Sequence, residues 1–208
     1  MDKLVKVSIA AVSLLSAAAV SAAPIYYNSR ASFQAAAGSL SMEGFEGPGQ
    51  LGAVHTYTDF QVSETNGVNA ITNYLANSCC VNPVTEGRNA IWFDDNGGSI
   101  GTFYNFTGGG VYAFGLDITA NEASTVAIGG AAISDSLVLA GNQPQFWGVI
   151  DTSPISAITF DASGGPNIGF DDVQYSLSPS SEVPEPGTVA LLGVGLAGIG
   201  FVRRRKPA

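Results

Sequence analysis

Val111-Tyr112-Ala113-Phe114-Gly115-Leu116-Asp117-Ile118 sets large apolar side chains at every second position. Tyr112, Phe114, Leu116 and Ile118 alternate with Val111, Ala113, Gly115 and Asp117. Successive side chains of a strand point to opposite faces, so one face is heavily apolar and the other small or polar. Ser156, Ile158 and Phe160 alternate in the same way with Ala157, Thr159 and Asp161. Both stretches read as core strands.

Working outward, further short runs rich in β-branched and aromatic residues recur between Gly, Asn, Asp and Pro clusters. Strands are expected near Leu40–Phe45, Phe60–Ser63, Ala90–Phe93, Gly101–Phe106, Thr125–Ile128, Ser136–Leu139, Gln145–Ile150 and Ile168–Leu177. Many short strands with a turn signal at each boundary predict an all-β fold, an antiparallel jelly-roll-like β-sandwich. One helix precedes them: Asn28 or Ser29 can cap it, Phe33 and Ala37 share a face, and Gly38 stops it. Glu64 to Arg88 lacks periodicity and reads as a long surface loop. Asp94-Asp95-Asn96-Gly97-Gly98 lacks the spacing of a calcium hand and reads as a tight hairpin turn.

The two ends follow other rules. Residues 1–22 combine Lys3 and Lys6, an apolar stretch from Val7 to Val20 and small residues at the end, the pattern of a secretory signal peptide cleaved after Ala22. Residues 23–176 form the sandwich domain, and Ser178-Pro179-Ser180-Ser181-Glu182 lies in a flexible linker over 177–182. Residues 183–208 begin Val183-Pro184-Glu185-Pro186, continue as an apolar run from Gly187 to Val202 and close on Arg203-Arg204-Arg205-Lys206. That run of sixteen residues spans roughly 24 Å as a helix against a hydrocarbon core of about 30 Å, which suits a temporary membrane hold better than a lasting anchor. The four cations act as a membrane stop and keep its end cytoplasmic, so the body lies outside.

This order of parts resembles the PEP-CTERM sorting signal of exported bacterial proteins. Val183, Pro184, Glu185, Pro186 and Gly187 match the motif, and Arg203 to Arg205 match its basic end. The resemblance implies an exosortase as processing partner after signal peptidase, an inner-membrane precursor, and a final place at the cell surface or in an exopolysaccharide and biofilm matrix. It covers the tail alone; a sorting signal does not specify what its cargo binds.

Without the two ends, the body keeps two bases, Arg30 and Arg88, against fourteen acids, a net charge of −12. Such a surface is a poor partner for nucleic acid. Cys79 and Cys80 are adjacent, and neighbouring Cα atoms ~3.8 Å apart fall short of the usual disulfide span. An unstrained staple is excluded; a strained vicinal disulfide, free thiols or a bridge to another chain remain.

No serine elbow, cysteine–base pair or phosphate loop occurs, and His55 is the only histidine, so a non-enzymatic protein is expected. Three acid groupings stand out, Glu43 with Glu46, Asp94-Asp95 and Asp171-Asp172. An acidic-site glycosidase is the weakest reading, because adjacent strand residues such as Asp171 and Asp172 point to opposite faces and cannot form a dyad. Gly44-Phe45-Glu46-Gly47 and Gly169-Phe170-Asp171-Asp172-Val173 resemble the Phe-Glu and Asp-Asp-Val signatures of jelly-roll carbohydrate-binding modules. That resemblance implies Glu46, Asp171 and Asp172 as ligands of a structural calcium. Trp92 and Trp147 are the candidate glycan platforms, each beside an apolar residue on the opposite face of its strand. Carbohydrate binding through them is the alternative function.

Overall fold

The computed structural model describes residues 22–47, 50, 53–64, 72–75, 89–93, 100–162 and 167–180. In chain order these form β1 (Ile25–Tyr27), α1 (Arg30–Ala37), β2 (Ser41–Glu43), β3 (Val54–Thr56), β4 (Gln61–Glu64), β5 (Thr72–Leu75) and β6 (Asn89–Phe93). There follow β7 (Ile100–Tyr104), β8 (Val111–Ala120), β9 (Ala123–Gly129), β10 (Ser134–Ala140), β11 (Gln145–Ile155), β12 (Ala157–Asp161) and β13 (Ile168–Ser176).

The strands build two antiparallel sheets. The first runs β1-β11-β8-β13-β6-β5 with β2 also on β13, and the second runs β10-β9-β12-β7-β4-β3. Phe114, Leu116 and Ile118 of β8 are fully buried between them, as their alternation requires. They meet Phe60, Phe103, Phe160, Phe170 and Trp147 in one continuous core. Tyr175 of the first sheet donates its hydroxyl to Asp59 Oδ2 at 2.8 Å, joining the sheets at one end. Burial and that carboxylate both push the phenol's pKa up.

All ten expected strands exist, and three more appear. β1 and β3, three residues each, were not foreseen, and β5 lies inside the stretch read as a surface loop. Strands this short carry almost no alternation of their own and are set by their partners: β1 pairs β11, β3 pairs β4 and β5 pairs β6. The hairpin reading of Asp94 to Gly98 is corrected as well. That stretch lies outside the described residues, but the strands on either side, β6 and β7, belong to different sheets and so do not pair as a hairpin.

Helix α1 lies on the outer face of the first sheet. Ser29 caps it, its Oγ accepting from Ser32 N at 3.5 Å, and Gly38 ends it at φ +75° with its N–H donating to Gln34 O at 3.2 Å. Phe33 and Ala37 are buried against Ala113 and Ile150. Beyond β13, Ser180 Oγ donates to Ala36 O at 3.0 Å, so the chain leaves the domain across the end of this helix. The expected signal peptide as far as Ser21 and the tail from Ser181 lie outside the described residues, as do Cys79 and Cys80. Among the described residues no helix is long and apolar enough to cross a membrane.

Candidate functional site

The acid site forms on β13. Its outer edge is shared by two strands, β6 along Ile168–Phe170 and β2 along Val173–Tyr175, and the changeover falls at Asp171-Asp172. Glu43, three residues before Glu46, stands opposite Val173.

On its other edge β13 slips against β8 between Asp171 and Gln174, and Asp172 adopts φ +50°. This is a β-bulge, which interrupts the strict alternation of side chains. Asp171 stands opposite Asp117 of β8, so those two share a face. Arg30, at the start of α1, ion-pairs with Asp117 Oδ1 at 2.7 Å and, through its other terminal nitrogen, with Asp172 Oδ2. The bulge thus turns Asp171 and Asp172 toward the same helix-covered face, which corrects the expectation that they point apart.

Three hydrogen bonds extend the cluster. Gln174 Nε2 donates to Asp172 Oδ1 at 3.1 Å, Asp172 N donates to Asp171 Oδ1 at 2.7 Å, and Gln34 Nε2 reaches Gln174 Oε1 at 3.0 Å. The Arg30 guanidinium also lies 4.8 Å over the Phe146 ring. Burial raises the Asp172 carboxyl above its ordinary value, Gln174 and Arg30 oppose the shift, and Asp117 adds to it. Glu46 is exposed, and among the described residues no three His, Cys, Asp or Glu side chains are grouped to hold a metal ion.

The aromatic site lies elsewhere, at the edge where β1 and β10 close the two sheets. Trp147 points inward: it is 2% exposed, packs edge-to-face on Phe160 at 5.5 Å and donates Nε1–H to Asp135 Oδ2 at 2.8 Å. It is a core residue, not an open platform. Its strand neighbour Phe146 faces outward but is covered by Phe33 and Arg30. The accessible ring is Tyr26, 37% exposed, whose centroid lies 6.2 Å from that of Trp147 and whose hydroxyl accepts from Ser134 N at 3.1 Å. Tyr26, Tyr27, Asn28, Asp135, Ser136 and Trp147 line a half-open pocket of about 310 Å³. Trp92 is far from this edge in the sheet order, opposite Gly169 of β13 and Thr72 of β5.

Sequence reasoning missed Arg30, Asp117 and Gln174 at the first site and Tyr26 at the second. Arg30 carried one signal, as one of two bases in a body with fourteen acids. Val183, Pro184, Glu185 and Pro186 and the basic run Arg203 to Lys206 lie outside the described residues.

A search of curated proteins finds no match. Among solved structures, the chain is similar to a family 6 carbohydrate-binding module whose binding subsites were dissected by crystallography and calorimetry. The two are 14% identical with a TM-score of 0.34, over 66% of this chain and 94% of that one. It is similar also to TmCBM61, solved with β-1,4-galactotriose, at 12% identity and a TM-score of 0.30, over 69% of this chain and 92% of that one. Residues 182–206 match the PEP-CTERM protein-sorting motif, which marks the protein as exported and sorted to the cell surface.

Proposed function

We propose that the chain is an exosortase substrate: signal peptidase removes its leader, the 187–202 segment holds it in the inner membrane, and cleavage near Pro184-Glu185-Pro186 delivers a non-enzymatic acidic domain to the cell surface or an exopolysaccharide matrix. The observation that carries this is the sorting motif at 182–206, with its apolar run and the cations at Arg203 to Lys206. The test is the intact mass of the protein recovered from its native host. The expected mass lacks both the leader and the residues after the motif, while Pro184→Ala/Glu185→Ala accumulates in the membrane fraction with its tail attached. A wild-type protein that keeps Arg203 to Lys206 at the surface would refute the processing step.

A second reading is favoured by the edge pocket, which joins an exposed Tyr ring to hydroxyl and amide groups, the combination that a neutral sugar ring requires. Trp147 would form its floor rather than a stacking platform. Tyr26→Ala is the discriminating variant, since Trp147→Ala would also open the core. Titration with neutral oligosaccharides should give binding that Tyr26→Ala weakens about tenfold or more, a loss of about 1.4 kcal/mol or above. Absence of binding across a panel of neutral glycans, or binding that Tyr26→Ala leaves unchanged, would eliminate this reading.

A further inference from the structure

We propose that Arg30 is the resident cation of the Asp117, Asp171 and Asp172 cluster, and that its guanidinium latches α1 to the sheet in place of a divalent metal. The calcium expectation provides the contrast. Calcium takes six to eight oxygens at once, and at least four of the six carboxylate oxygens here already have other partners. Asp172 gives one oxygen to Arg30 and the other to Gln174, Asp117 gives Oδ1 to Arg30, and Asp171 Oδ1 is held by the Asp172 amide. Glu46 joins no metal-holding group among the described residues.

The guanidinium suits the place chemically. Its planar fork bridges two carboxylates that stand on different strands while its flat face stacks on Phe146, a combination that an ammonium or a metal ion, having no planar face, does not offer. The side chain is 25% exposed, against 14% for Asp117 and 13% for Asp172, so these charges are largely withdrawn from solvent and from screening by salt. The body has only one other base, Arg88, so its use here is costly in charge terms. Because Arg30 begins α1 and only Asn28 and Ser29 separate it from β1, the ion pairs also fix the segment that carries Tyr26.

The test is melting of the full chain with calcium and with chelator, at pH 7 and at pH 4, for the wild type, Arg30→Met, Asp117→Asn/Asp172→Asn and the triple variant. Wild-type melting should be the same in calcium and in chelator. Arg30→Met should lower it at pH 7 by roughly 5–10 °C, the effect of leaving part-buried carboxylates without their partner. Around Arg30 the titrating groups are Asp117 from β8 and Asp171 and Asp172 from β13, while β11 presents the uncharged Phe146. A carboxyl whose folded pKa is raised favours the fold below its unfolded value and loses that share as pH climbs through the folded value. Removing Arg30 steepens this, so the Arg30→Met loss should shrink at pH 4. It should nearly vanish in the Asp117→Asn/Asp172→Asn background, and Arg30→Lys, which keeps the charge without the fork, should fall between. Two results would overturn the proposal: a calcium-dependent rise in wild-type melting that Asp171→Asn or Asp172→Asn abolishes, or an Arg30→Met loss equal in both backgrounds.

Discussion

Phe103→Ala should lower the unfolding free energy by about 3–5 kcal/mol, a large fraction of the roughly 5–15 kcal/mol that holds a domain together. Phe103 is fully buried on β7, between Val62 of β4 and Ile158 of β12. Its ring lies 5.8 Å from Phe60, 5.1 Å from Phe114, 5.8 Å from Phe160 and 5.4 Å from Phe170, mostly edge-to-face. Phe114 and Phe170 belong to the opposite sheet, so this one ring closes the sandwich from both sides. Truncation would leave a cavity walled by rigid rings that cannot collapse into it, which places the loss at the upper end for a core change. Urea unfolding should show a lower midpoint with an unchanged slope. Phe103→Leu, which keeps most of the volume, should lose less than about 2 kcal/mol. A loss under about 1.5 kcal/mol for Phe103→Ala would mean that the ring does not bridge the sheets.

Period-two alternation made this core legible. Phe114, Leu116 and Ile118, and likewise Ile158 and Phe160, face inward as their spacing demands, because a strand has only two faces and one of them must leave water. The edge strands were another matter. Ile25–Tyr27, Val54–Thr56 and Thr72–Leu75 are too short for a period to register; β1 finds its partner β11 far along the chain, while β3 and β5 each pair with the strand next in sequence. The same limit explains the Asp94 to Gly98 stretch, where composition announces a turn and says nothing of whether the next strand returns to the same sheet.

The sites were legible only in part, because each depends on a feature that is not periodic. Asp171-Asp172 was recognisable as an acid pair beside the Glu43 to Glu46 segment, and β2 does lie on β13. The bulge that sets both acids toward α1 comes from a register slip and a positive φ at a non-glycine residue, and neither has a local signature. Their cationic partner Arg30 is remote in sequence. For Phe146-Trp147, alternation correctly put one ring inward and one outward. It could not show that a helix covers the outward one, which leaves Tyr26 as the exposed aromatic of that region.

Gly148→Val should undock α1 while leaving the two sheets paired. Gly148 of β11 and Gly115 of β8 stand opposite each other and together form a floor without side chains under the rings of Phe33 and Phe146. A Cβ on Gly148 would come within 2.8 Å of Phe33 Cδ2 and 3.1 Å of Phe146, and one on Gly115 within 2.7 Å of Phe146 Cζ. Phe33 cannot yield, since it is fully buried among Tyr27, Ala113, Ile150 and Phe146. Movement of Phe146 would carry away the ring that stacks beneath Arg30, so the steric clash and the ion-pair latch are coupled. Overpacking of this kind costs about 1–3 kcal/mol, and partial loss of the Arg30 contacts should bring the total to its upper end. Hydrogen exchange should show the Phe33 to Ala37 amides losing protection well before those of β8 and β13. Phe33→Leu, which removes the ring edge that the new methyls strike, should restore part of the stability lost in Gly148→Val while weakening the wild type. If Gly148→Val melts within about 1 °C of wild type, the glycine floor does not seat the helix. If instead protection falls uniformly over both sheets, α1 is an integral part of the sandwich rather than a strap latched onto it.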